Sequence, residues 1–339
     1  MRKDYIAQWY EVREEQGVSD RIHCFLHQPA RHLTDWQHYR HRDTDGIGML
    51  TMVRTELGYT DQPLPLSRDR SEPGFWQTWR RRRQLPRETA AKTVHWRPPH
   101  NAAGNNAAGN NAAGNNAAGN NAAGNNAETE ALPLLQVLTP DELQTLKEVA
   151  RQRGVSVASL TLAALNKAVF DTCLQSGSQA WWFYPVNLRG AVERPPLGNV
   201  SSGFYLLLNA GSSAEEIHAQ VKKKLQAGEH WWLWKMAHIG RWIGTAGVRF
   251  IYRRLSRSQF YLGSFSYLGD WSLPQHPQTI LGCCGAGSAN YPIATGVTES
   301  NGHLSLALKF HPAVASAQQL NQDCLQHWSA ALRDLRHHV

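Results

Sequence analysis

The chain has 339 residues, and its hydrophobic fraction of 42% is enough to build a globular interior, with a length that suits two domains better than one core. A formal charge of +8 with 35 Lys and Arg invites a nucleic-acid reading, yet no zinc finger, heptad-linked basic region or aromatic ribonucleoprotein motif accompanies it, so no nucleic-acid partner is expected. Five cysteines form neither a Cys-x2-Cys metal pattern nor an even disulfide framework, no metal site is implied, and no run reaches signal-peptide or membrane-spanning length. A soluble, cytoplasmic protein is the expectation.

In chain order, Asp20 to His27 alternates loosely and predicts a strand, and Trp36 to His41 predicts a second. The run Tyr39-Arg40-His41-Arg42-Asp43-Thr44-Asp45-Gly46 follows, and then a helix with apolar positions Ile47, Leu50, Val53 and Leu57, stopped at Gly58. A His-x3-Asp-Gly spacing therefore sits between a strand and a helix. Arg80 to Arg83, beside Trp76 and Trp79, reads most simply as a solvated basic patch. Residues 101 to 125 are five tandem copies of Asn-Ala-Ala-Gly-Asn with no apolar periodicity, which predicts a flexible tether. As a coil it would span roughly 25–30 Å. The expected division is residues 1–100, a low-complexity linker over 101–126, and a second unit over 127–339.

Beyond the linker, Thr139-Pro140 predicts a capped helix reaching Arg153-Gly154, followed by a buried helix over about 157–174. Trp181 to Val186 and Phe204 to Leu208 read as strands flanking a loop with Gly198 and Asn199, and Ala214 to Gln226 as an amphipathic helix. The stretch from Trp231 to Trp242, with Phe250 to Arg254 after it, reads as a helix whose rings fill a tunnel or seam. An interfacial membrane helix is the alternative, and it makes peripheral membrane contact a candidate. Gly282-Cys-Cys-Gly-Ala-Gly287 lacks a phosphate-loop lysine and reads as a loop.

Taken together, His41-x3-Asp45-Gly46, the run Pro185-Val186-Asn187-Leu188-Arg189, the Gly198-Asn199 loop, Ser266 ahead of a glycine turn and the final hairpin from Tyr291 to Phe310 resemble the chloramphenicol-acetyltransferase-like superfamily. Its members include condensation domains, alcohol acetyltransferases and wax-ester synthases. The usual form has two adjacent histidines, and here Arg40 stands in the first position. The resemblance implies an α/β (α+β) fold of two subdomains with the first incomplete, since only 40 residues precede His41, and a second chain completing it is a candidate partner. It also implies an acyltransferase that moves an acyl group from a thioester to a hydroxyl or amine. The co-substrate would be acyl-coenzyme A or the phosphopantetheine thioester of an acidic carrier protein, with no bound cofactor.

In that reading His41 is the general base, its imidazole pKa lying near working pH. The absence of a Gly-x-Ser-x-Gly elbow favours direct attack by the acceptor over a covalent acyl-enzyme. Asp45 and Arg189 are implied to form an ion pair across the two halves, with Gly46 needed for an unusual backbone angle or a close helix approach. Asn187, Gly198, Asn199 and Ser266 are implied as loop or tunnel residues. The alternative is a non-catalytic, condensation-like binding or partner protein.

Overall fold

The computed structural model describes residues 5–16, 18–60, 62–84, 94, 96–97, 132–175, 179–258, 261–288, 291–312, 314 and 317–335. The tandem repeat expected as a tether lies outside the described residues. The first half supplies α1 (Tyr5–Glu15), β1 (Arg21–Gln28), β2 (Leu33–Arg40), α2 (Gly46–Glu56) and α3 (Phe75–Gln84). Then come β3 (Leu134–Leu138), α4 (Pro140–Gln152), α5 (Val157–Thr172), β4 (Gln179–Asn187), β5 (Ser201–Asn209), α6 (Ala214–Ala227), α7 (Glu229–His238) and α8 (Gly240–Ser258). The chain continues through β6 (Gly263–Ser264), β7 (Tyr267–Asp270), β8 (Ile280–Cys284), β9 (Ile293–Ser300) and β10 (His303–Phe310) to α9 (Ala317–Asp334).

The architecture is mixed α/β with two sheets. One has three strands in the order β2-β1-β8, and the other has seven in the order β3-β10-β9-β6-β4-β5, with β7 pairing on β9. The larger sheet carries the main core, where Trp182, Phe204, Phe265, Leu306 and Trp328 are all at most 2% exposed. Two of its indoles find partners inside it: Trp182 Nε1 donates to Asn166 Oδ1 at 3.1 Å, and Trp328 Nε1 donates to the Thr161 carbonyl at 3.0 Å. A second core lies with the smaller sheet, joining Ile22 and Cys24 of β1, Met49, Leu50 and Val53 of α2, and Leu281 of β8.

Helix starts follow local chemistry. Thr139 caps α4 and Ser213 caps α6 through reciprocal capping boxes with Glu142 and Glu216. The segment around Gly282 departs from the loop expected of it. Ile280–Cys284 is a buried strand that pairs antiparallel with β1, His23 opposite Cys284 and His27 opposite Ile280. A strand from the second half thereby completes the first half's sheet. The glycines have a steric reason to be there: a Cβ on Gly282 would lie 2.3 Å from Phe25 Cζ, and one on Gly296 would lie 1.8 Å from the Cys283 carbonyl oxygen. All five cysteines are free and buried.

The tryptophan-rich stretch divides in two. Trp231 and Trp234 are 3% and 2% exposed, whereas Trp242 is 89% exposed. The chain passes from α7 to α8 at Ile239 between those regions, and Gly244, at φ 63°, breaks the helical path of α8 just after Trp242. Among the described residues, no helix is long and apolar enough to cross a membrane.

Candidate active site

His41 directly follows β2 and begins the turn into α2. Its backbone N–H donates to the Asp20 carbonyl at 2.7 Å, which anchors the turn to the start of β1. Nδ1 lies 3.0 Å from the Thr44 carbonyl oxygen, an acceptor only, and 3.3 Å from Asn199 Nδ2, whose two hydrogens have the His41 carbonyl and the Tyr10 hydroxyl as nearer acceptors, so Nδ1 carries the proton and Nε2 keeps its lone pair. Among the described residues no protein group bonds Nε2. Asn199 Nδ2 donates to the His41 carbonyl at 2.8 Å and reaches the Tyr10 hydroxyl at 3.2 Å. The Tyr10 ring lies 5.1 Å from the imidazole, tilted by 47°. Burial holds the His41 pKa below the ordinary imidazole value, against the Thr44 bond, which acts in the opposite direction.

Two cavities meet at this side chain. One of about 340 Å³ is walled by Phe183, Tyr205, Trp234, Tyr261 and Tyr291, and the other, of about 360 Å³, by Ile47, Pro185, Ser266 and Leu268. His41, Tyr10 and Arg13 line both. A third cavity of about 650 Å³ shares Tyr205, Leu233 and Tyr261 with the first. These volumes fall in the range of small-molecule sites.

The ion pair expected between Asp45 and Arg189 is present, and it is bidentate. Arg189 donates from one terminal nitrogen to Asp45 Oδ1 at 2.6 Å and from the other to Oδ2 at 2.9 Å, with side chains only 2% and 6% exposed. Asp45 Oδ1 also caps α2 by accepting from Gly48 N at 3.0 Å, and Oδ2 accepts from Val200 N at 2.9 Å. Arg189 completes its fork on the Pro196 carbonyl at 2.7 Å and the Gly198 carbonyl at 2.9 Å. Asn187 Oδ1 accepts from the Arg189 backbone at 3.0 Å, and its amide donates to the Pro65 carbonyl at 2.8 Å. Asp45 is therefore committed on both oxygens and has nothing left to offer the imidazole.

Of the two reasons expected for Gly46 the unusual backbone angle is absent, since its φ lies outside the left-handed region. An added Cβ would meet side chains rather than backbone, Leu268 at 3.1 Å and Cys283 Sγ at 3.8 Å. The tight position is Gly48, where a Cβ would sit 2.3 Å from both the Leu197 carbonyl oxygen and Thr44 Oγ1. Thr44 Oγ1 itself donates to that carbonyl at 2.7 Å, so α2 and the loop before Gly198 are in backbone contact. Ser266 lines the second cavity, while its carbonyl accepts from Val297 N at 2.8 Å.

Sequence reasoning passed over α1, which provides Tyr10 and Arg13. The helix is seated by contacts remote in the chain: Trp9 Nε1 donates to the Ala237 carbonyl at 2.9 Å, and Glu15 pairs with Arg249 at 2.7 Å. It also passed over the tyrosine group of the first cavity, in which the Tyr205 and Tyr261 rings stack at 4.1 Å and the Tyr205 and Tyr291 hydroxyls meet at 2.8 Å. Burial raises the pKa of all three phenols, which keeps them neutral.

No family model matches the chain, and no curated protein matches it. Solved structures do. The chain is similar to the condensation domain of the monacolin K polyketide synthase, at 14% identity and a TM-score of 0.48, over 90% of this chain and 69% of that one. It is similar to the cyclization-docking bidomain of a nonribosomal peptide synthetase from Sorangium cellulosum, at 15% identity and a TM-score of 0.47, over 89% of this chain and 59% of that one. A third is the epimerization domain from the third module of tyrocidine synthetase B, at 14% identity and a TM-score of 0.44, over 89% of this chain and 68% of that one.

Proposed function

We propose that the protein is an acyltransferase of the condensation-domain type, moving an acyl group from a thioester to a hydroxyl or amine with His41 as general base. The observation that carries this reading is the position of His41 at the junction of two cavities, with Nδ1 tied to the Thr44 carbonyl and Nε2 left as an acceptor. A donor in one cavity and an acceptor in the other would meet at that nitrogen. Nε2 takes the proton as the acceptor oxygen or nitrogen attacks the thioester carbonyl. When the tetrahedral intermediate collapses the C–S bond breaks, the ester or amide is released, and the proton returns to the thiolate.

The neutral imidazole that burial favours is the form such a base needs. Asp45 and Arg189 serve the site by holding the turn rather than by relaying a proton, because their hydrogen-bonding capacity is spent on each other and on backbone groups. The donor would be acyl-coenzyme A or an acyl group on carrier-protein phosphopantetheine.

The experiment is a screen of acyl-coenzyme A and acyl-carrier donors against hydroxyl and amine acceptors, read as free thiol released and acylated product formed, with His41→Ala alongside. Product that disappears in the variant is the expected result. Turnover that survives intact in a folded His41→Ala protein would remove His41 from the chemistry. A complete lack of turnover with donors that nevertheless bind would favour a condensation-like binding protein.

A further inference from the structure

We propose that Arg13 recognises an oxyanion, a carboxylate or a phosphate, on the substrate held beside His41; this rests on the acyl-transfer reading of the same cavities and adds the charge of what enters them. Arg13 lies on α1 and lines both cavities that meet at the imidazole. Its guanidinium carbon stands 5.1 Å from the centroid of the Tyr10 ring, which in turn lies 5.1 Å from the His41 ring.

The carboxylates around Arg13 are committed elsewhere. Asp45 is held by Arg189, Gly48 N and Val200 N. Asp20 accepts from Arg42 at 2.9 Å, Glu14 pairs with the same Arg42, and Glu15 pairs with Arg249. Among the described residues Arg13 has no carboxylate partner, although it is partly buried. Arg189, Arg42, Arg249 and Arg153 each have one. Desolvating a guanidinium without a counter-charge is costly; Arg54, also without a carboxylate pair, donates to the Ser272 carbonyl and lies over aromatic rings away from the cavities, whereas Arg13 faces them.

Around this cation the first cavity has no acidic lining residue, and the single carboxylate lining the second is the neutralised Asp45. The lining of the junction thus carries the Arg13 cation with no unpaired carboxylate beside it, while Asp45 and Arg13 act in opposite directions on His41. Arg13 shares a hydrogen bond with the Tyr252 hydroxyl of the first cavity, and the remaining donors of its planar guanidinium match carboxylate and phosphate geometry, which an ammonium would not. Phe183, Tyr205, Trp234 and Tyr291 form the rest of the first cavity, so the ligand's remainder is apolar or aromatic. The anion has two sources: a carboxylate on the acceptor or acyl group, or the phosphate of a phosphopantetheine donor.

The test is isothermal titration of the full chain with 3-phenylpropanoate, its primary amide, and 4′-phosphopantetheine, using wild type, Arg13→Met, Arg13→Lys and Arg13→Gln. At least one of the two anions is expected to bind, and to lose about ten- to a hundredfold in affinity in Arg13→Met, the loss of a charge-assisted hydrogen bond. The amide should be unaffected, and Arg13→Lys should recover part of the loss. The arm in which the loss appears identifies the source of the anion. If neither anion binds, or both bind Arg13→Met and Arg13→Gln as tightly as wild type, the proposal is overturned. Binding is read without turnover, so failure of the His41 reading would show separately. Arg13-dependent anion binding that persists in His41→Ala supports the anion site independently of the chemistry.

Discussion

Asp45 and His41 belong to one turn, and their surroundings are opposites. Asp45 is sealed into a network that uses both carboxylate oxygens and joins α2 to Arg189 and to the loop that leads into β5. His41 spends Nδ1 on the Thr44 carbonyl, with Asn199 beside it, leaves its other nitrogen unbonded by any described residue, and lines two cavities. The difference teaches that within one short motif the acid builds the frame and the base is kept available. A charge fully matched by donors is worth stability, whereas an imidazole with one open nitrogen is worth chemistry.

The largest effect expected from breaking that contrast is on rate. His41→Ala should lower kcat by about 10²–10⁴-fold, the range for loss of a general base, with its unfolding free energy within about 0.5 kcal/mol of wild type. Asp45→Ala should show the reverse emphasis. Leaving Arg189 buried without its counter-charge costs about 3–5 kcal/mol, read as a shift of the denaturant midpoint. A midpoint unchanged in Asp45→Ala would place the pair outside the frame and erase the comparison.

Gly48→Ala comes next, at about 1–3 kcal/mol of overpacking, because the backbone of Leu197 cannot retreat as a side chain could. Gly46→Ala should cost less, its added methyl meeting the side chains of Leu268 and Cys283 rather than backbone. Equal losses for the two would show that the approach of α2 to the Leu197 loop is not the constraint.

The smallest effect is in pH dependence. Burial depresses the folded pKa of His41, so the folded state stays neutral where the unfolded state takes up a proton. Unfolding then binds protons, and stability should decline as pH falls through the ordinary imidazole value of 6.5. The acid limb of kcat/KM should lie below that pH for the same reason, and His41→Ala should remove the stability component. An acid limb above it would contradict the environment described for the ring.

What the sequence made legible was local. The His41-x3-Asp45-Gly46 spacing and the Pro-Val-Asn-x-Arg run ending at Arg189 are short motifs, and the pairing of Asp45 with Arg189 across the chain was expected only from the family resemblance they carry. The capping boxes that begin α4 and α6 are read the same way. What was hidden depends on residues far away. Gly282, Cys283 and Cys284 look like a loop because small residues and glycine lack strand propensity, and only the close approach of Phe25 and of Gly296 explains them as β8. Gly48 is an ordinary helix residue until Leu197 is seen against it. Arg13 and Tyr10 gain their meaning from a helix whose seat is made by α7 and α8, and no short-range pattern announces that.

The pairing of β1 with β8 has a consequence for biosynthesis. As the chain leaves the ribosome, β1, β2 and the turn bearing His41 emerge early, but their sheet lacks an outer strand until Ile280–Cys284 has been made. Until then β1 presents an open edge, a template for unwanted pairing with other nascent chains. The candidate catalytic turn thus waits on the synthesis of every element from α2 to β8, and its protection in the meantime falls to chaperones or to the speed with which the late strand arrives.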